Sequence, residues 1–184
     1  MSMRADELMR ATIKILTDGA ELESGSAATH VERALDKLMD LQQVVQETPQ
    51  SPEDFAYFKK QVVQLLKTDQ NGHGLTMYVF HCFNYAGRGR LDGFEEACHR
   101  RSAVQLLNDE YAPWSELFIP DDLEVIEEID ELLEEASDDA PPVPEPGIPG
   151  WVPDTHWWWR APKRQDMTEE ERAERIDYDS NDGL

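Results

Sequence analysis

Cysteine is scarce in this chain, with Cys82 and Cys98 the two thiols among 184 residues. Two thiols cannot staple a disulfide framework, and neither sits in a Cys-x-x-Cys pair or beside a His-x-x-x-His helix pair, so no zinc signature is present. Long apolar runs are also lacking: the longest are a few residues, against the roughly 18 that a bilayer span requires, and no membrane insertion is expected. The N-terminus lacks the basic, apolar and small-residue order of a secretory signal, so the chain reads as cytoplasmic. No repeat of fixed period occurs. Positive charge is the largest deficit, because 39 acidic side chains face 17 basic ones and leave a formal charge of -22. Such a balance repels phosphate backbones and anionic lipid, and it argues against direct nucleic-acid or membrane binding.

The deficit is concentrated. From Ser102 to Trp159 the chain has 16 acidic residues and no Lys or Arg, whereas Met1 to Arg101 has 15 acids against 12 bases and Arg160 to Leu184 has 8 against 5. Exposed charges are screened beyond about 8 Å at physiological salt, so a dense acidic segment acts on a partner locally. It suits a basic partner surface, or else forms a solvated helix face followed by an acidic linker.

Apolar spacing predicts an all-α protein, a single bundle of about five to six helices over 1–137, with a proline-rich, Trp-containing extension over 138–184. Ala5, Leu8, Met9, Thr12, Ile13 and Leu16 mark a first helix over Arg4 to Thr17, ended by Asp18-Gly19. After the small, polar stretch Glu23 to Ala28, the residues Val31, Ala34, Leu35, Leu38, Leu41 and Val45 mark a second, stopped by Thr48-Pro49. Ser51-Pro52-Glu53-Asp54 offers an N-cap, a proline at the first helical position and acids against the positive helix end. A third helix then buries Phe55, Phe58, Val62, Leu65 and Leu66 and ends before Asn71-Gly72. Leu75 to Ala86 suits a strand by its aromatic and branched residues, but the helical spacing of Leu75, Tyr78, Val79, Cys82, Phe83 and Ala86 favours a short buried helix. Gly87-Arg88-Gly89-Arg90 reads as a basic turn rather than a dinucleotide loop, and Leu91 to Asn108 as a fifth helix. Tyr111 to Pro120 is expected to be an apolar loop lying against the bundle.

A sixth helix follows with Leu123, Val125, Ile126, Ile129, Leu132, Leu133 and Ala136 as its apolar stripe. Glu124, Glu127, Glu128, Asp130, Glu131, Glu134 and Glu135 occupy its opposite face, preceded by Asp121 and Asp122. Arg88, Arg90, Arg100 and Arg101 form a small basic cluster that can pair with this acidic helix and fix how it packs. The connector from Asp138 to Pro153 carries six prolines and has no core of its own. Thr168 caps an expected short helix to Ile176, and 177–184 should fray.

Four of the five tryptophans, Trp151, Trp157, Trp158 and Trp159, lie just beyond most of the prolines, beside Arg160. Tryptophan and arginine are enriched in interface hot spots, so Trp114, Trp157, Trp158, Trp159 and Arg160 are candidate partner anchors. The alternative is that the segment folds back into a groove on its own chain. His73, His81, Cys82, Cys98 and His99 are ligand or nucleophile types without ligand spacing, and no metal, cofactor or catalytic residue is expected from them.

Acid pairs on the sixth helix, with Asp36 and Asp40 as a second set, resemble those of the all-α nucleotide pyrophosphatases. That resemblance implies a magnesium-dependent enzyme acting on nucleotides. In overall character, an acidic, small, helical chain with aromatic candidates and no catalytic signature, the sequence resembles the cognate immunity proteins of bacterial polymorphic, type VI-type secreted toxins. This second resemblance implies a non-enzymatic binder that neutralises a basic toxin or effector by occluding its active-site or substrate-binding surface. In that reading Asp121 to Glu135 steer association and Trp114, Trp157, Trp158, Trp159 and Arg160 anchor it. A nucleic-acid-mimicking inhibitor and an effector chaperone or adaptor are the remaining alternatives.

Overall fold

In a computed structural model the chain is all-α, as its periodicity predicts, with seven α-helices and no strand among the described residues. The structure describes residues 3–22, 24–88, 93–138, 140 and 143–162, together with the backbone but not the side chains of 24–26. The expected helix at Thr168–Ile176 and the fraying end lie outside these residues. The helices are α1 (Met3–Ala20), α2 (Ser24–Glu47), α3 (Pro52–Leu66), α4 (Asp69–Arg88), α5 (Phe94–Leu106), α6 (Trp114–Leu117) and α7 (Pro120–Ser137). No helix is long and apolar enough to cross a membrane, among the described residues.

The chain divides into two compact units, residues 1–80 with 103–123, and residues 81–102 with 124–184. In the first, α1 and α2 form a hairpin and α1 also meets α3. Ala5, Met9 and Leu16 of α1 and Val31, Ala34, Leu35, Leu38 and Leu41 of α2 are buried at the expected helical spacing. Val44, rather than Val45, closes the buried face of α2. The polar stretch before Val31 is helical from Ser24 onward, because its alanines have high helix propensity and Ala27 is buried. Pro52 occupies the first turn of α3 as expected, while Ser51 makes no side-chain capping bond.

Asn71-Gly72 does not act as a breaker; it lies inside α4. Tertiary bonding outweighs local propensity there. The Asn71 amide donates to the Leu16 carbonyl at 2.8 Å and the Leu65 carbonyl at 3.0 Å, joining the ends of α1 and α3 to the start of α4. Close approach also explains Gly74: a Cβ there would lie 2.6 Å from Val31 Cγ2 and 3.1 Å from the Ala27 carbonyl oxygen.

The expected loop from Tyr111 is instead structured. Leu107–Tyr111 is a π-helical turn, and α6 follows it. Lys59 of α3 pairs with Glu110 at 2.7 Å and lies over the rings of Phe55 and Tyr111, at 4.7 and 5.6 Å.

In the second unit, Cys82, Ala86, Phe94, Ala97 and Cys98 are buried, as are Ile126, Ile129, Leu133 and Ala136 of α7. Arg100, Arg101 and Ser102 of α5 are buried in succession. The extension belongs to this unit and has its own ordered turns, with backbone bonds from Val152 to Pro149, His156 to Pro153 and Arg160 to Trp157. Within it Trp151, Val152, His156, Trp158 and Trp159 are buried.

Candidate partner-binding site

The outer face of α7 follows from its period. Ile126, Ile129, Leu133 and Ala136 recur at steps of three and four and are buried, so the residues between them are forced outward. Glu124, Glu127, Glu128, Glu131, Glu134 and Glu135 are all exposed, and Asp121 is exposed at the start of the helix.

Two of the nine expected docking acids are engaged within the chain instead, Asp122 buried and Asp130 half-buried. Asp122 is 5% exposed and accepts a hydrogen bond from Thr76 Oγ1 at 2.9 Å, because it stands four residues before Ile126 on the apolar stripe. Asp130, four residues after Ile126 at the edge of that stripe, receives Arg101 bidentately, Nε to Oδ1 at 2.7 Å and Nη2 to Oδ2 at 2.9 Å. Arginine pairing with the acidic helix is thus realised by Arg101, while Arg100 pairs with Glu96 at 2.7 Å on its own helix and stacks on the Tyr85 ring at 5.1 Å.

The tryptophans separate in the same way. Trp158 and Trp159, at 2% and 3% exposure, take the fold-back arrangement. The reason lies in one hydroxyl: Ser102 Oγ receives the Trp158 indole N–H at 3.0 Å and the Trp159 indole N–H at 2.8 Å. Trp158 also reaches the Cys98 carbonyl at 3.2 Å, and its ring carries the Arg101 guanidinium at 4.5 Å. Trp157 alternates outward from these two, 37% exposed, with its ring edge-on to Trp158 at 5.8 Å. Arg160 is exposed beside Asp154, at 3.4 Å, on the rim of a shallow depression lined by Val143, Glu145, Ile148 and Trp159. Trp114, half-buried in the other unit, donates its indole N–H to the Val104 carbonyl at 2.9 Å, and its backbone N–H to Asn108 Oδ1 at 3.1 Å.

Ser102 and His156 were not legible as a pair in the sequence, where 54 positions separate them. Their approach, Oγ to Nδ1 at 3.1 Å, has the form of a serine nucleophile beside a base. Ser102 is fully buried, His156 is 1% exposed, and the hydroxyl oxygen also accepts from the Trp158 and Trp159 indoles. The cysteines are equally shielded. Burial pushes the Cys82 thiol up to about 12, against a smaller opposing pull from Arg101. Burial, with Cys82 nearby, pushes Cys98 up as well, so both stay protonated and weakly nucleophilic at neutral pH. His73 is exposed, and His81 and His99 are half-buried. No three His, Cys, Asp or Glu side chains converge to hold a metal ion among the described residues. Asp36 and Asp40 are exposed on α2, with Asp40 paired to Lys37 at 3.1 Å.

No protein-family model, curated protein or solved structure matches the chain. The second unit carries a glutamate-lined helix face, an exposed indole at Trp157 and an exposed guanidinium at Arg160, while Trp158, Trp159 and Arg101 are buried.

Proposed function

We propose that this chain is a binding protein of the immunity type, which occludes the basic active-site or substrate-binding surface of a cognate toxin or effector in the cytoplasm, without catalysis of its own. One observation carries the reading: six exposed glutamates on the outer face of α7, within a stretch that has no Lys or Arg from Ser102 to Trp159. Like charges at helical neighbour positions repel one another, and a basic partner relieves that repulsion while gaining an attraction that accelerates encounter. Trp157 and Arg160 of the same unit are the residues suited to slow dissociation, since each combines a large contact area with a polar group. Trp158, Trp159, Asp122 and Asp130 hold the scaffold in this reading and are not contact residues.

A pull-down from native lysate at low and then high salt, with mass spectrometry of what stays bound, tests the reading. A stoichiometric basic partner that loses its toxicity or enzymatic activity in the complex, and dissociates faster at high salt, is the expected result. An empty pull-down, or a partner whose activity is untouched when bound, overturns it.

A further inference from the structure

The hydrogen bonds around Ser102 favour one protonation state of His156. Indole nitrogens can only donate, so Ser102 Oγ accepts from Trp159 at 2.8 Å and from Trp158 at 3.0 Å, whose one N–H is shared with the Cys98 carbonyl at 3.2 Å. With two donors on the oxygen, the hydroxyl hydrogen is directed to His156 Nδ1 at 3.1 Å, which then presents a lone pair and leaves the imidazole proton on the buried Nε2. An imidazolium carries hydrogens on both nitrogens. Its Nδ1–H would point at an oxygen already saturated with donors, and the serine hydrogen would lose its acceptor.

The surrounding charges reinforce this. His156 stacks on Trp158 at 4.9 Å, and the same indole carries the Arg101 guanidinium at 4.5 Å, which disfavours a second cation. From α5, His99 is half-buried and Arg100 is engaged with Glu96. From α7, Asp130 is committed to Arg101, and within the extension Asp154 is committed to Arg160. Trp151, edge-on to the imidazole at 5.9 Å, completes an aromatic surround.

We propose that residues 151–160 form a clasp that protonation of His156 releases, so that the fold itself carries an acid-operated device. With the clasp closed, His156 is neutral and the Trp151, Trp158 and Trp159 rings are buried. With it open, the imidazole takes up a proton near its ordinary value of about 6.5, and the three indoles become available at the surface. Opening consumes one proton, so the ratio of open to closed chains rises up to about tenfold for each pH unit below that value.

The test is hydrogen exchange of the Trp158 and Trp159 indole Nε1–H groups in the full chain, followed by NMR and referenced to the free-indole rate at each pH. Protection is expected to fall about tenfold between pH 6 and 5, at one proton per opening. It should stay level in His156→Asn, whose side-chain oxygen can stand in for the Nδ1 acceptor without titrating. Level protection in the wild type, or an equal fall in the variant, overturns the proposal. A second readout needs no variant: nitrogen-15 shifts of His156 at pH 7 should report the neutral Nε2–H form, and an Nδ1–H tautomer or an imidazolium would refute the device.

Discussion

Arg101 and Asp130 are joined by two hydrogen bonds, at 2.7 and 2.9 Å, between a guanidinium 3% exposed and a carboxylate on the edge of the acidic face of α7. Removing the acid takes two charge-assisted hydrogen bonds from a buried guanidinium that also lies over Trp158. Asp130→Ala should therefore cost about 3 kcal/mol, or roughly 6 to 12 °C in the thermal midpoint for a chain of this size. Glu127→Ala, on the exposed face one turn earlier, should stay within about 0.5 kcal/mol. Thermal or urea unfolding of the two variants side by side checks this, and equal effects would place Asp130 among the solvated acids.

Ser102→Ala removes the acceptor of two buried indole donors and the donor to His156. Trp158 keeps the Cys98 carbonyl, but Trp159 loses the indole bond described for it. A loss of about 2 to 3 kcal/mol is expected, from a buried donor left without its partner. Near-UV circular dichroism should register it as a weakened tryptophan signal with helical content unchanged. An unaltered tryptophan spectrum would show that the hydroxyl does not hold the rings.

Gly74 and Gly87 lie in the same helix and predict opposite outcomes. Gly74→Ala forces a methyl against Val31 and the backbone of α2, which should destabilise by about 1 to 3 kcal/mol. Gly87→Ala meets nothing within 4 Å and should stabilise by up to about 1 kcal/mol through helix propensity and lower unfolded-state entropy. Urea midpoints for both variants decide it.

The raised thiols predict an alkaline weakness. In the unfolded chain a cysteine ionises near pH 8.5, whereas Cys82 in the fold holds its proton to about 12. Folding then binds the proton more tightly than unfolding does, so its stabilising share is complete below about pH 8.5 and declines as pH rises through the window up to the folded value. Unfolding free energies measured from pH 8 to 10.5 should fall more steeply for the wild type than for Cys82→Ala. In parallel, a thiol reagent at pH 8 should label neither cysteine until denaturant is added.

For the proposed complex, changing Glu124, Glu127, Glu131 and Glu134 together to Gln should slow association and flatten its salt dependence without changing stability. Trp157→Ala should chiefly raise the dissociation rate. Surface plasmon resonance against the captured partner separates the two effects, and a quadruple variant with unaltered association would remove the steering role.

The helices were legible wherever an apolar stripe recurred over three or more turns, as in Val31 to Leu41 or Ile126 to Ala136, because that period constrains which side of a helix can leave water. The same period already placed Asp122 in line with Ile126, although its charge suggested the opposite. The signals that failed were short and local: Asn71-Gly72 is helical because its amide is bonded to α1 and α3, and the run beginning at Tyr111 is held by the Val104 carbonyl and Asn108. The density of acid on α7 and of tryptophan beyond the prolines is a property of composition and needs no coordinates. Which acids and rings are engaged within the chain depends on partners distant in sequence, on Arg101 for Asp130 and on Ser102 for Trp158 and Trp159. Burial leaves donors and charges dependent on such partners for satisfaction, and folding alone brings those partners within hydrogen-bonding distance.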